Sequence, residues 1–247
     1  WVLSKLPPLS SAKLRKQRHD ANWISILGSV VETPYYTIIF GVDGSIEYLY
    51  DKELSRKWVS GEFNKLKLFV DCPGNYDAWD ILPNYREKEA TLHVEGPLDV
   101  VEIDGESATF RVLLSTENSK WEMLIRLFRQ SRGIEVENNV NWNEKHKLAK
   151  VEFQCNILSR KILCDTSAGF IERETHRNTT WQQARFEVCH HKWCDMSETG
   201  GGIAIINDGK YGVGFLENTM SLSLLRATER PDVTSDIGKH SFSYMIV

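Results

Sequence analysis

The sequence lacks the features of a membrane protein or a secreted protein. No apolar run in its 247 residues approaches the ~20 residues that a transmembrane helix needs. The N-terminus, WVLSKLPPLSS, lacks the charged and then apolar order of a signal peptide. The five cysteines are an odd number at irregular spacing, which does not favour a disulfide framework. We therefore expect a cytoplasmic protein without a membrane partner.

An excess of positive charge is also missing. The chain has 30 Lys and Arg against 34 Asp and Glu, with a formal net charge of -4. Nucleic-acid-binding domains typically have a pI above ~9 and a basic stripe. The most basic run, Lys13 to Arg18, is interpreted as a solvated linker or strand end. These observations predict no nucleic-acid partner.

The common catalytic and metal-binding signatures are absent from the sequence. It contains no G-x-S-x-G elbow, no H-E-x-x-H helix and no P-loop. The stretch CHHKWC, from Cys189 to Cys194, resembles a zinc site at first, but structural zinc needs four ligands. Neighbouring strand residues point to opposite faces, so His190 and His191 cannot both face one ion without a bulge. We predict no metal ligand here.

Alternating apolar and polar residues dominate the sequence, and Asp-Gly pairs separate them. YYTIIF (35–40) and SIEYLY (45–50) flank Asp43-Gly44, a strong hairpin signal because Gly tolerates the positive φ of such turns. The same arrangement recurs around Asp104-Gly105. Many long hairpin strands and almost no helix predict an all-β fold, a large antiparallel β-sandwich.

Two further organisational predictions concern the glycine-rich loop and the domain boundary. Gly202–Ile206 and Thr219–Leu225 are predicted to be strands that flank the loop NDGKYGVG. The boundary is placed between a lead segment, residues 1–28, and a β domain, residues 29–247. The lead is interpreted as the end of a preceding β domain.

The segment from Glu172 to Asp195 concentrates three His, three Arg and two Trp without a helical period. Such a composition suits a polar surface loop, predicted at Thr175–Gln183, followed by a strand at Ala184–His191. Loops on a rigid scaffold are where binding groups collect.

The segment PGNYDAWDI, residues 73–81, places two carboxylates around a tryptophan in a loop bounded by Pro and Gly. Sugar sites use such groups, because aromatic faces pack on pyranose C–H surfaces while carboxylates accept hydroxyl protons. The structural alternative is that Asp77 caps the loop backbone while Trp79 covers the sandwich edge.

These segments together resemble the class II α-mannosidases, glycoside hydrolase family 38, of cytosolic and bacterial type. The motifs that carry the resemblance are NYDAWDI (75–81), ERETHRNTTWQQARFEVCHHKWCDMSE (172–198), GGGIAIINDGKYG (200–212), SLLRATERPD (223–232) and DIGKHSFSYMI (236–246). The resemblance covers the C-terminal portion of the family, a galactose-mutarotase-like super-sandwich that continues past the last of these motifs.

The resemblance implies a retaining exo-mannosidase with a carboxylate nucleophile, a carboxylic acid/base and a zinc ion. In the family these groups lie on an N-terminal catalytic domain, so we expect no catalytic residue and no cofactor in this chain, which alone should be inactive. Its implied substrate-binding residues are Trp79, Asp77, Asp80, His176, Arg177 and Asn178. The implied partners are an α-mannoside, the catalytic domain and possible further copies of the enzyme.

Two other functions are compatible with the residues. A stand-alone carbohydrate-binding module of the same fold would bind mannose through Trp79. A mutarotase-type enzyme would need a His and a carboxylate as acid/base pair, and His176 with Glu172 or Glu174 is the candidate.

Overall fold

The computed structural model describes residues 22–247, and nearly all of its regular structure is β-strand. The strands of the first half are β1 (Ser25–Leu27), β2 (Val30–Glu32), β3 (Tyr36–Phe40), β4 (Ile46–Asp51), β5 (Arg56–Lys57), β6 (Val59–Val70), β7 (Glu89–Ala90), β8 (His93–Val94), β9 (Asp99–Ile103), β10 (Ser107–Ser115) and β11 (Lys120–Phe128). Those of the second half are β12 (Ile134–Trp142), β13 (Lys147–Cys155), β14 (Lys161–Thr166), β15 (Gly169–Glu174), β16 (Val188–Cys189), β17 (Trp193–Glu198), β18 (Gly201–Asn207), β19 (Gly212–Leu216), β20 (Thr219–Arg226) and β21 (Gly238–Ile246). One short helix, α1 (Thr180–Ala184), and a 3-10 turn at Tyr85–Glu87 complete the elements.

The strands form three antiparallel sheets. Five strands follow chain order, β1-β2-β3-β4-β5. Ten strands form the largest sheet, in the order β15-β14-β17-β18-β21-β12-β11-β10-β8, with β9 also paired to β10. Six strands form the third, in the order β16-β19-β20-β13-β6-β7. The antiparallel β-sandwich predicted from the sequence is therefore confirmed.

One hydrophobic core joins the three sheets. The ten-stranded sheet packs on the five-stranded sheet through Phe110 and Phe40, whose ring centroids lie 5.3 Å apart. It packs on the six-stranded sheet through Tyr244 and Phe153, at 5.8 Å. Most strands bury alternate residues, as β12 does, because successive side chains point to opposite faces.

Strand β13 departs from this alternation and positions the site. Nearly every residue from Leu148 to Cys155 is buried, so both of its faces are covered. One face belongs to the core, and the other carries Lys150 and Glu152. The segment around residues 71–88 and the segment around residues 177–187 contribute the side chains that contact this outer face.

Two local predictions were wrong. Residues 180–184 form a helix, because Thr179 and Gln182 make a reciprocal capping box, and the strand predicted at Ala184–His191 is reduced to Val188–Cys189. The strands predicted at 202–206 and 219–225 are present as Gly201–Asn207 and Thr219–Arg226, but the predicted loop NDGKYGVG runs into β19, which pairs with β20, so the two predicted strands lie in different sheets.

The predicted domain boundary at residue 28 falls in the turn between β1 and β2, which form a hairpin. Residues 25–27 are thus part of the five-stranded sheet. The basic run at 13–18 and most of the lead segment lie outside the described residues, so an origin in a preceding domain stays a prediction.

Candidate functional site

The loop that follows β6 presents two aromatic side chains to solvent. Tyr76 and Trp79 are 70% and 71% exposed, and their rings meet edge to face with centroids 6.5 Å apart. A turn fixes their spacing, because the amides of Trp79 and Asp80 donate to the Tyr76 carbonyl at 2.9 and 3.1 Å. An exposed aromatic pair on a defined turn is a surface on which the apolar face of a sugar can pack.

Asp77 holds this loop to the rest of the domain. Its side chain is buried, and its two carboxylate oxygens accept the backbone N–H groups of Glu229 at 2.6 Å and Arg230 at 2.9 Å. The hydrogen bond from Glu229 is the main cause that lowers the pKa of Asp77. The carboxylate therefore supports the loop, as in the structural alternative, while Trp79 beside it is free to contact a ligand.

Asp80 and Arg226 complete the support. The Asp80 carboxylate is exposed and accepts the Ile81 amide at 3.0 Å, so it is available to a ligand at the loop surface. Arg226, at the end of β20, donates to the Asp80 carbonyl at 2.7 Å and pairs with the carboxylate of Asp71. Asp71 in turn accepts the Leu82 amide at 3.0 Å, which fixes the far end of the loop.

Replacing Asp77 with asparagine should destabilise the domain at neutral pH by about 1–3 kcal/mol, because the two backbone N–H groups bind different carboxylate oxygens and asparagine replaces one of these acceptors with an NH2 donor. Because the pKa of Asp77 is lower in the folded state, its carboxylate stabilises the domain fully above the unfolded-state pKa of about 4. This stabilisation is lost as the pH falls through the folded-state pKa. We therefore expect the stability of D77N to depend less on pH than that of the unmodified domain as the pH falls below about 4. Urea unfolding across this range measures both effects, with D80N on the same loop as the matched control. A stability of D77N equal to that of D80N would contradict the support role.

The second predicted group lies on the connection between β15 and α1. Arg177 is half-buried, and its Nη2 donates to the carbonyls of Phe186 at 3.4 Å and Phe215 at 3.3 Å. His176 is half-buried as well, and Asn178 is exposed, with its backbone N–H donating to Gln182 Oε1 at 2.7 Å. His176 and Arg177 line a cleft of about 450 Å³, in which Trp79 and Asp80 take no part.

A buried ionic cluster connects the two segments above the outer face of β13. Lys150 is fully buried, and its Nζ donates to both carboxylate oxygens of Glu187 and to Ser223 Oγ, each at 2.8 Å. Tyr85, from the first segment, donates its hydroxyl to Glu187 at 2.7 Å and packs against Phe186. Burial lowers the pKa of Lys150 despite the neighbouring carboxylate.

Sequence reasoning missed this cluster. Its one visible signal was a lysine inside the apolar run of β13, between Ala149 and Val151. The partner Glu187 lies in the segment that was mistaken for a strand.

The CHHKWC stretch does not fit a metal. His190 is buried, with Nδ1 3.2 Å from the Tyr211 carbonyl and Nε2 2.9 Å from the Asn207 side-chain amide, and burial lowers its pKa. It is thus a neutral histidine with both ring nitrogens engaged. Across residues 22–247, no group of three or more His, Cys, Asp or Glu residues could hold a metal ion.

The mutarotase alternative depends on the two carboxylates nearest to His176 in sequence. Glu172 pairs with Lys161, and Glu174 accepts a hydrogen bond from Gln182 Nε2 at 2.8 Å, so neither carboxylate bonds to His176 as the mutarotase alternative requires.

Within the described part of the chain, no helix is long and apolar enough to cross a membrane.

Comparison with known proteins identifies relatives among the α-mannosidases. Residues 31–234 match the model of the glycosyl hydrolases family 38 C-terminal domain. The chain is 37% identical over 226 residues to alpha-mannosidase G of Dictyostelium discoideum, covering 88% of this chain and 21% of that protein. It is 37% identical to human alpha-mannosidase 2C1 over 186 residues, which cover 74% of this chain and 18% of the human protein.

Solved structures agree on the fold. An alpha-mannosidase from Enterococcus faecalis V583 superimposes with a TM-score of 0.74 at 12% identity, covering 88% of this chain and 29% of that one. The chain spans about one fifth of the length of the relatives that it matches in sequence. On the family match and on these identities, the chain belongs to the glycosyl hydrolases family 38 C-terminal domain family.

Proposed function

We propose that this chain is the C-terminal β-sandwich portion of a retaining α-mannosidase that hydrolyses terminal α-linked mannose. In this proposal the domain buttresses a catalytic domain and contributes one wall of the sugar pocket. The observation that carries it is the exposed Tyr76–Trp79 pair, held on a loop that Asp77 pins, in a chain of this family.

The groups that break the glycosidic bond belong elsewhere in this proposal. A retaining mechanism needs two carboxyl groups about 5–5.5 Å apart across the scissile bond, one as nucleophile and one as acid/base. The carboxylates of the Trp79 loop do not meet this need, since Asp77 is buried against backbone amides while Asp80 faces solvent. The nucleophile, the acid/base and the zinc are therefore assigned to the polypeptide outside residues 1–247.

Within the sugar pocket, Trp79 supplies the apolar wall and Asp80 an acceptor for a sugar hydroxyl. Asp77 acts through the loop that it holds. His176, Arg177 and Asn178 lie on the neighbouring segment, joined to the Trp79 loop through Tyr85 and Glu187. A cytoplasmic location and a possible homo-oligomer stay predictions.

A side-by-side assay tests the proposed function. The full-length polypeptide, supplied with zinc or cobalt, should hydrolyse 4-nitrophenyl α-mannoside and leave the β-mannoside intact, whereas residues 1–247 alone should release no nitrophenol. Absence of turnover by the full-length protein would overturn the assignment. Turnover by residues 1–247 would refute the assignment of the chemistry to the rest of the polypeptide.

The same exposed aromatic pair also suits a stand-alone carbohydrate-binding module. The two functions differ in the affinity of residues 1–247 for mannose. One wall of a pocket buries only part of a sugar and should bind it very weakly, whereas a complete module should give a measurable calorimetric isotherm that W79A abolishes.

A further inference from the structure

A cleft opens at the edge where two sheets of the sandwich end together. Strand β15 is the edge of the ten-stranded sheet, and β16 is the edge of the six-stranded sheet. The cleft between them has a volume of about 450 Å³, and its walls include Arg173 on β15, Val188 on β16 and Phe215 on β19. His176 and Arg177 line it from the connection that follows β15.

Three buried nitrogen atoms of this cleft have no hydrogen-bond partner among the described residues. They are Nε of Arg173, Nδ1 of His176 and Nε of Arg177. Only two other buried side-chain atoms in residues 22–247 share this condition, on His146 and Arg226 beside the Trp79 loop. A buried unpaired donor costs free energy, and folded proteins pair nearly all such groups. The two arginine Nε–H groups can only donate, and His176 Nδ1 donates when it carries the proton, so the three atoms together indicate a missing acceptor.

The charges around the cleft define the kind of acceptor. Its lining contains four cationic side chains, namely Lys161, Arg173, Arg177 and Arg185, and two acidic ones, Glu172 and Glu174. Both acidic groups are engaged, Glu172 by Lys161 and Glu174 by Gln182. Burial, and then repulsion from Arg86, lowers the pKa of Arg177. The uncompensated charge is positive, so the missing group is an anion, and a carboxylate matches the planar guanidinium fork.

Three observations favour a source for that carboxylate in the polypeptide outside residues 1–247. Residues 1–21 are poorly suited, because they contain five Lys or Arg residues and a single acidic residue, Asp20. About four fifths of each sequence relative lies outside the region matched by this chain. Phe170 and Ile171, next to Arg173 on the open edge strand, are exposed apolar residues that a packed neighbour would cover.

We propose that this cleft, the edge socket, is an interdomain contact in which Arg173, Arg177 and His176 bind an aspartate or glutamate side chain from the polypeptide outside residues 1–247. The proposal rests on the proposed function only in placing the chain within a larger enzyme. It adds Arg173 as a contact residue, and it assigns the arginines and the histidine of the edge socket to domain assembly instead of sugar binding.

The test compares one substitution in two contexts. In the full-length enzyme, Arg173→Met should lower the midpoint of thermal unfolding of this domain by about 4 °C or more, because the partner carboxylate loses its buried counter-charge. In residues 1–247 alone, the same substitution should leave the midpoint unchanged or raise it, because it removes an unpaired donor. Arg129 is an exposed arginine directly after β11, away from the edge strand β15. Arg129→Met is therefore the matched control, and it should leave the midpoint unchanged both in the full-length enzyme and in residues 1–247 alone.

Arg177→Met repeats the comparison at the second arginine, and hydrogen exchange of residues 169–177 provides a second measurement. Exchange there should increase in the full-length variants and not in the isolated chain. Equal destabilisation in both contexts would assign the arginines to the internal structure of the domain and overturn the proposal. No effect in the full-length enzyme would overturn it too. So would an Arg173-dependent rise in the midpoint of residues 1–247 with phosphate or acetate, which would indicate a site for a free anion. None of these measurements uses mannoside hydrolysis, so a failed socket and a failed mannosidase assignment give different results.

Discussion

Replacing Trp79 with alanine in the full-length enzyme should lower kcat/KM for an α-mannoside by about tenfold to a hundredfold. The indole is 71% exposed in this domain, and packing a sugar on it would bury a large apolar surface. Losing such a contact costs about 1.5–3 kcal/mol, and each 1.36 kcal/mol is tenfold in rate. Trp79→Phe keeps a flat apolar ring and should retain most of the activity.

The control for this prediction is Trp181, which is 76% exposed on helix α1. W181A removes an equally exposed tryptophan from a surface that the proposed pocket does not use, so its steady-state kinetics should match the unmodified enzyme. Equal kinetics for W79A and W181A would show that the Trp79 loop does not contact the substrate.

Removing the Glu187 side chain should destabilise the isolated domain by about 3–5 kcal/mol, because it leaves the ammonium group of Lys150 buried without a counter-charge. Glu187 is only 9% exposed in its side chain, so solvent screens this interaction little. Tyr85 would lose its acceptor in the same change. Urea unfolding of E187A against E117A, an exposed glutamate in a turn, measures the difference.

A second substitution separates charge from packing. Adding Lys150→Met to E187A removes the stranded cation and should recover much of the loss, because an apolar side chain of similar length tolerates burial. Failure of the double variant to recover stability would mean that Glu187 acts through other contacts than Lys150. The m-values of both variants should equal that of the unmodified domain, because a change in m-value would indicate a change in the unfolded state.

The hairpins were predictable from sequence because their signals are local. Asp43-Gly44 and Asp104-Gly105 each join strands that pair as expected, β3 with β4 and β9 with β10. Period-2 alternation in β11 and β12 likewise agrees with their burial. Gly44 has a positive φ, and the Asp-Gly dipeptide by itself predicts a turn that requires this conformation.

The structure of the segment after Thr175 could not be predicted from sequence because its local signals compete. Thr179-Thr180-Trp181-Gln182 has the spacing of a capping box, yet the crowd of aromatic and polar residues suggested a loop and then a strand. The break in the strand between Ala184 and His191 depends on tertiary contacts, since Phe186 and Glu187 turn onto Tyr85 and Lys150. Contacts between residues so far apart in sequence do not appear in any local sequence pattern.

The candidate site likewise contains some residues that a local sequence pattern predicts and others whose roles depend on distant contacts. Trp79 could be selected from its neighbours because an exposed aromatic between carboxylates in a Pro- and Gly-bounded loop is a local pattern. The support role of Asp77 was visible only as an alternative, because its donors, Glu229 and Arg230, lie about 150 residues later in the chain. The roles of Lys150 and Arg173 could not be predicted from sequence, because the surroundings of both residues depend on which sheet edges and faces meet in the fold.

The most direct measurement is a structure of the full-length enzyme with a mannose-configured ligand bound at its active site. We expect the Trp79 ring in van der Waals contact with the sugar, within about 4 Å, on a loop still held by Asp77. A ligand bound with the Trp79 loop remote from it and exposed to solvent would contradict the claim that this domain forms a wall of the sugar pocket.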